Sequence, residues 1–166
     1  MRFLDQNFKN NPRPYLFQSA CASLYILLIL LVLDTRQNAA IIASVGASVF
    51  LVFTTPRQYY ACPKALVGGY LVGIILGVFF SWFSRSDMFS ATLSLNIRHI
   101  ICGAAAVGIS IFLMVITDTE HPPAAGMALS LVLSQWTPAT LAFIIGAVVF
   151  LSIIKKILNP FLKKLI

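Results

Sequence analysis

Apolar residues run in six long stretches, separated by short polar breaks. The stretches cover residues 16–33 (LFQSACASLYILLILLVL), 39–55 (AAIIASVGASVFLVFTT), 65–83, 99–117, 123–136 and 139–157. A helix rises about 1.5 Å per residue, so a hydrocarbon layer of about 30 Å takes about 20 residues to cross. The first, third, fourth and sixth stretches meet that length. The second is borderline and holds Gly46 inside it. The fifth, at about 14 residues, reaches only about 21 Å. Prolines punctuate the breaks: Pro56 and Pro63 bracket TTPRQYYACP, Pro122 and Pro123 open the fifth stretch, and Pro138 opens the sixth. Proline in a first helical turn sacrifices no hydrogen bond, because that N–H has no intrahelical partner.

The pattern predicts an all-α polytopic membrane protein, a single membrane domain over 1–166. A polar, basic segment (1–15) precedes a first half (16–83), a central loop (84–98), a second half (99–157) and a tail (158–166). The order of features repeats. LLVLDTRQNAA precedes a short glycine-containing stretch, a proline and an apolar helix. FLMVITDTEHPPAA precedes the same series, so Asp34-Thr35 aligns with Asp118-Thr119. Three segments per half give the halves opposite orientation, an inverted repeat with two short segments, and such short segments point to a transporter's binding site.

Charge tests that topology. If all six segments cross, one side carries Arg2, Lys9, Arg13, Arg57, Lys64 and the four C-terminal lysines, against Arg36, Arg85 and Arg98 on the other. The richer side should be cytoplasmic, with both termini there. If both short segments dip in and return, the split is the same; if only the fifth fails to cross, the bias disappears. Charge therefore favours an even number of crossings without separating crossing from re-entry.

Composition agrees. The chain is 59% hydrophobic and 10% charged, with a mean hydropathy of +0.90, whereas soluble domains carry about 25% charged residues. The first apolar run is too long for a cleaved leader and is expected to stay in the mature protein. The net charge of +7 sits in loops and at the ends, where anionic membrane lipids explain it better than nucleic acid does. The tail KKILNPFLKKLI reads as an amphipathic surface anchor. Cys21, Cys62 and Cys102 show no metal or disulfide spacing, and no enzyme motif, cofactor or metal site is expected.

Candidate chemistry gathers at TDTEHPPAAG, residues 117–126. The chain has five acidic residues and two histidines, and Asp118, Glu120 and His121 fall together here. If the short fifth helix starts inside the bundle, its N-terminus offers partial positive charge and unpaired N–H groups beside the small residues Ala124, Ala125 and Gly126. His121, Pro122 and Pro123 would complete an anion site, with Ser44, Gly46 and Ser48 facing it from the second stretch. Asp118, Glu120 and His121 are the candidate proton carriers. The same letters also suit a solvated turn, with the prolines as a plain helix start. Arg36 suits either anion attraction or an interfacial position. His99 reads as an interfacial residue. Gly69, Gly73 and Gly77, four apart, form a flat strip for close helix contact, within the chain or in a homo-oligomer.

The stretch GAAAVGISIFLMVITDTEHPPAAGMAL (103–129) resembles the signature of the HPP family of integral membrane proteins, and ASVGAS (43–48) and PKALVGGYLVG (63–73) resemble its earlier blocks in the same order. Some plant and cyanobacterial members are regarded as nitrite transporters. The resemblance thus implies transport of a small inorganic anion, by a carrier or channel of the inner membrane. Two departures stand out: AAGMA follows the motif where the family pattern is closer to AGATA, and Tyr70 stands where many members carry His. If that His moves protons in relatives, Tyr70 speaks against the same coupling here. Two alternatives are a non-transport scaffold or assembly subunit and, more remotely, an intramembrane enzyme using His121 with Glu120.

Overall fold

The computed structural model describes residues 6–34, 37–86 and 94–165, with no strand among them. Arg36 and residues 87–93 of the central loop lie outside the described residues. The helices are α1 (Gln6–Asn10), α2 (Arg13–Val32), α3 (Ala39–Thr54), α4 (Pro63–Arg85), α5 (Leu95–Ile116), α6 (Pro122–Leu133) and α7 (Pro138–Leu158), with a 3-10 turn at Tyr59–Ala61. Prolines occupy the first turn of α2, α4, α6 and α7. α5 begins earlier than its apolar run because the Ser94 hydroxyl accepts the Ile97 N–H at 3.4 Å. α7 begins with a capping box between Thr137 and Thr140. The 12 residues of α6 make it shorter still than the sequence pattern suggests.

Four helices, α2, α4, α5 and α7, are long and apolar enough to cross a membrane, while α3 and α6 are shorter apolar helices. Contacts at the helix ends fix the directions. Gln18 near the start of α2 donates to the Phe53 carbonyl near the end of α3, so these two are antiparallel. α4 and α6 run side by side in the same direction, Gly69 facing His121, Gly73 facing Ala124 and Gly77 facing Ala128. α3 runs against α6, with Ser44 at Pro123 and Ser48 at His121. α7 returns to the first end, where Lys155 meets the Ala61 carbonyl. That end gathers Arg13, Lys64, Lys155 and Lys163. Arg85 lies at the other, donating to the Ser134 carbonyl at 2.8 Å beyond the end of α6.

The core lies where α3, α4, α6 and α7 meet, around Val45, Tyr70, Met127, Leu131, Ile144 and Leu151. Outer faces stay apolar: Leu31 is 73% exposed, Trp82 67% and Ile75 65%. Such surface is stable only against lipid or a partner.

Two expectations need correction. The glycine strip is filled within the chain: a Cβ at Gly69 would stand 2.7 Å from the His121 Cβ, one at Gly73 would overlap the Ala124 carbonyl oxygen, and one at Gly77 would stand 2.9 Å from that of Ala128. With α6 seated there, Gly69, Gly73 and Gly77 offer no face to a homo-oligomer. The tail is likewise no surface helix. After α7 it turns and extends back across the bundle. Gln18 clamps the Lys163 backbone, donating to its carbonyl at 3.0 Å and accepting its N–H at 2.9 Å. Leu165 N–H donates to the Thr54 carbonyl at 2.9 Å. Buried Leu162 and Leu165 supply the apolar part of this docking.

Candidate functional site

The approach to α6 begins with how α5 ends. Asp118 has φ 55°. Its N–H donates to the Val115 carbonyl at 3.3 Å, and the Thr119 N–H to that of Met114 at 2.9 Å. This is a Schellman turn with Asp, one of the few non-glycine residues that tolerate left-handed backbone, at its key position. The Asp118 side chain points outward and pairs with Lys64 at 2.5 Å, the two being 67% and 58% exposed. Tyr59 donates to the Asp118 carbonyl. The Lys64 ammonium, then Tyr59, hold the Asp118 carboxyl below its ordinary pKa.

Three residues later the environment has reversed. His121 is 1% exposed. It lies level with Gly69, six residues into α4, hence about 9 Å along that helix from its start. Gly68 and Gly69 make this possible, because side chains there would collide with Thr119 and His121. The imidazole Nδ1 lies 2.6 Å from the Tyr60 carbonyl oxygen, so it carries the proton and donates. Nε2 lies 2.8 Å from the Ser48 hydroxyl and accepts from it in the neutral ring. With the Ser48 proton on Nε2, the Tyr70 hydroxyl donates to Ser48 Oγ at 2.8 Å and has the Ser44 carbonyl 3.1 Å away as its other acceptor. Ser44 in turn donates to the Pro123 carbonyl at 2.5 Å. One buried polar chain, Tyr60 to His121 to Ser48 to Tyr70, thus joins α3, α4 and the start of α6.

The predicted site residues separate into groups. Ser44, Ser48, His121 and Pro123 come together. Gly46 does not: it turns toward Ile26 of α2, because it stands two residues, over half a helical turn, from both serines. Asp118 is directed to Lys64 on the exposed side, and Glu120 is only partly buried, so the three proposed proton carriers form no interior cluster. The helix-end amides are also occupied. Pro122 and Pro123 have no N–H, and the Ala124 N–H donates to the His121 carbonyl at 2.9 Å. Ala124 and Ala125 are buried; Gly126 is exposed, beside Ser44. An anion would therefore meet hydroxyls and an imidazole rather than a ring of free amides. Beside the cluster, Ala47, Phe50, Leu51, Tyr60, Pro122 and Pro123 line an open, apolar groove of about 520 Å³.

Residue patterns alone did not single out Tyr60, which contributes only a carbonyl, or Tyr70, whose position next to the glycine strip was the available signal. Among the described residues, no group of three His, Cys, Asp or Glu side chains could hold a metal.

The family model described as HPP, transmembrane region, matches residues 8–162. The chain belongs to this family. It is accordingly a multi-pass membrane protein, and the His121-Pro122-Pro123 turn lies at the crossing of its two short helices. A curated transmembrane protein of Dictyostelium discoideum is 30% identical over 93 residues, covering 56% of this chain and 30% of that relative's length. No solved structure matches.

Proposed function

We propose that the chain carries a small inorganic anion, nitrite-like, across the inner membrane, with the site between α3 and α6. The observation that carries this reading is the buried cluster of Ser48, Tyr70 and His121. Polar groups held inside a membrane bundle are costly and concentrate along substrate pathways. Hydroxyls and an imidazole offer hydrogen-bond donors without fixed charge, which suits a monovalent anion that must also leave. The anion accepts from Ser48 and Tyr70. A proton entering with it converts His121 to a donor at Nε2, so the pair adds no net charge to a dry site.

All six longer helices are proposed to cross, with both termini cytoplasmic beside the lysine-rich end. In support, α2, α3 and α4 run opposite to α5, α6 and α7 respectively, as two inverted halves would.

Flux of nitrite into proteoliposomes tests the proposal. Wild-type chain should transport, and His121→Ala should abolish flux while the purified variant stays folded. Retained flux in that variant moves the site elsewhere. A second reading, a non-transport scaffold, draws on the fact that both imidazole nitrogens already have partners within the chain. Absence of flux for nitrite, nitrate, formate and chloride alike would favour it.

A further inference from the structure

At the lysine-rich end, away from His121, a cavity of about 180 Å³ is lined by Pro63, Lys155, Lys156 and Asn159. Lys155 is 7% exposed, and its ammonium donates to the Ala61 carbonyl at 2.6 Å. Lys64, at the start of α4, pairs with Asp118 and is committed elsewhere, and among the described residues Lys155 has a carbonyl but no carboxylate. A buried ammonium with an uncompensated charge is strongly disfavoured. One carbonyl satisfies one of its three donors. Lys156 lines the same cavity, Asn159 adds a neutral polar group, and the start of the 23-residue helix α4 adds partial positive charge. The cavity opens at the end where the polar parts of lipids would lie.

We infer that Lys155, Lys156 and Asn159 form a binding site for a phosphate group, supplied by an anionic lipid headgroup or by free phosphate. The phosphate neutralises Lys155, to which the described residues offer no carboxylate, and the phosphoryl oxygens accept from both ammonium groups and the Asn159 amide. The full chain in neutral detergent is titrated with dihexanoyl-phosphatidylglycerol, dihexanoyl-phosphatidylcholine or inorganic phosphate, with the thermal unfolding temperature as readout. Binding of the glycerol lipid alone identifies a headgroup site, and equal binding of inorganic phosphate identifies a free-phosphate site. Either supports the inference if Lys156→Ala and Lys155→Met each weaken binding about fivefold while the paired control Lys163→Ala, Lys164→Ala changes it less than about twofold. Should Lys155→Met fail to fold, Lys156→Ala and Asn159→Ala carry the test. No binding by either phosphate probe overturns it. So does an equal loss in the control pair, which would mean general surface charge.

Discussion

At the scale of the residue, Ser48 holds the polar chain together, since its hydroxyl touches both the His121 ring and the Tyr70 hydroxyl. Ser48→Ala leaves His121 Nε2 buried without a donor, a cost of about 1–3 kcal/mol, whereas Tyr70→Phe removes one hydroxyl at a net cost of about 1 kcal/mol. The expected order of thermal stability in detergent is therefore wild type, then Tyr70→Phe, then Ser48→Ala; the reverse order for the two variants would refute this assignment of partners. Asp118 gives a pH signature. Its carboxyl is held below the ordinary value, so its stabilising contribution is complete above the unfolded pKa of about 3.9 and disappears as pH falls through the lower folded value. Asp118→Asn should lower stability slightly across the neutral range and flatten the acid limb below about pH 4, so that the variant and the wild type converge at the acid end. Because both partners are exposed, the effect is small.

At the scale of the element, the test is a pair of glycines with opposite expectations. Gly108 on α5 has nothing within 4 Å of a built Cβ, so Gly108→Ala should stabilise by about 0.5–1 kcal/mol through backbone entropy. Gly73→Ala drives a methyl into the Ala124 carbonyl and should destabilise by about 1–3 kcal/mol or more. Unfolding measured for both variants in one detergent checks the signs. Helix existence was legible in the sequence because apolar runs and first-turn prolines are local signals. The tail was misread for the same reason. KKILNPFLKKLI has amphipathic letters, but its path depends on Gln18, nearly 150 residues away, which no local pattern reveals. Gln18→Ala should release the strap, and trypsin should then cut at Lys163 and Lys164 faster than in wild type.

At the scale of the whole molecule, the predicted site was half legible. His121 is one of two histidines in the chain, and scarcity was its clue; Ser44 and Ser48 stand four apart on one face of an apolar helix, and spacing was theirs. Asp118 and Glu120 share the scarcity of His121 but not its surroundings, because a left-handed turn at Asp118 separates an exposed carboxylate from a buried imidazole within four residues. The proposed topology has a direct check. After Cys21, Cys62 and Cys102 are replaced, cysteines introduced at Asn10 and Lys164 should react with an impermeant maleimide from the same side, and one at Gln135 from the other. Labelling of Gln135 from the same side as Asn10 would rule out six crossings.

The seam between α4 and α6 has a mechanical consequence. Backbone presses on backbone at Gly73 and Gly77, and α5 closes over both helices, with Cys102 and Ala106 against Ala128 and Val132. These three helices cannot slide past one another without steric collision, so they behave as a stiff slab. Against it, α3 is held at its centre by exchangeable hydroxyl contacts, and breaking those needs no backbone to shear. If the molecule has a hinge, the leaf that swings is α3 with α2, and the slab is the door frame.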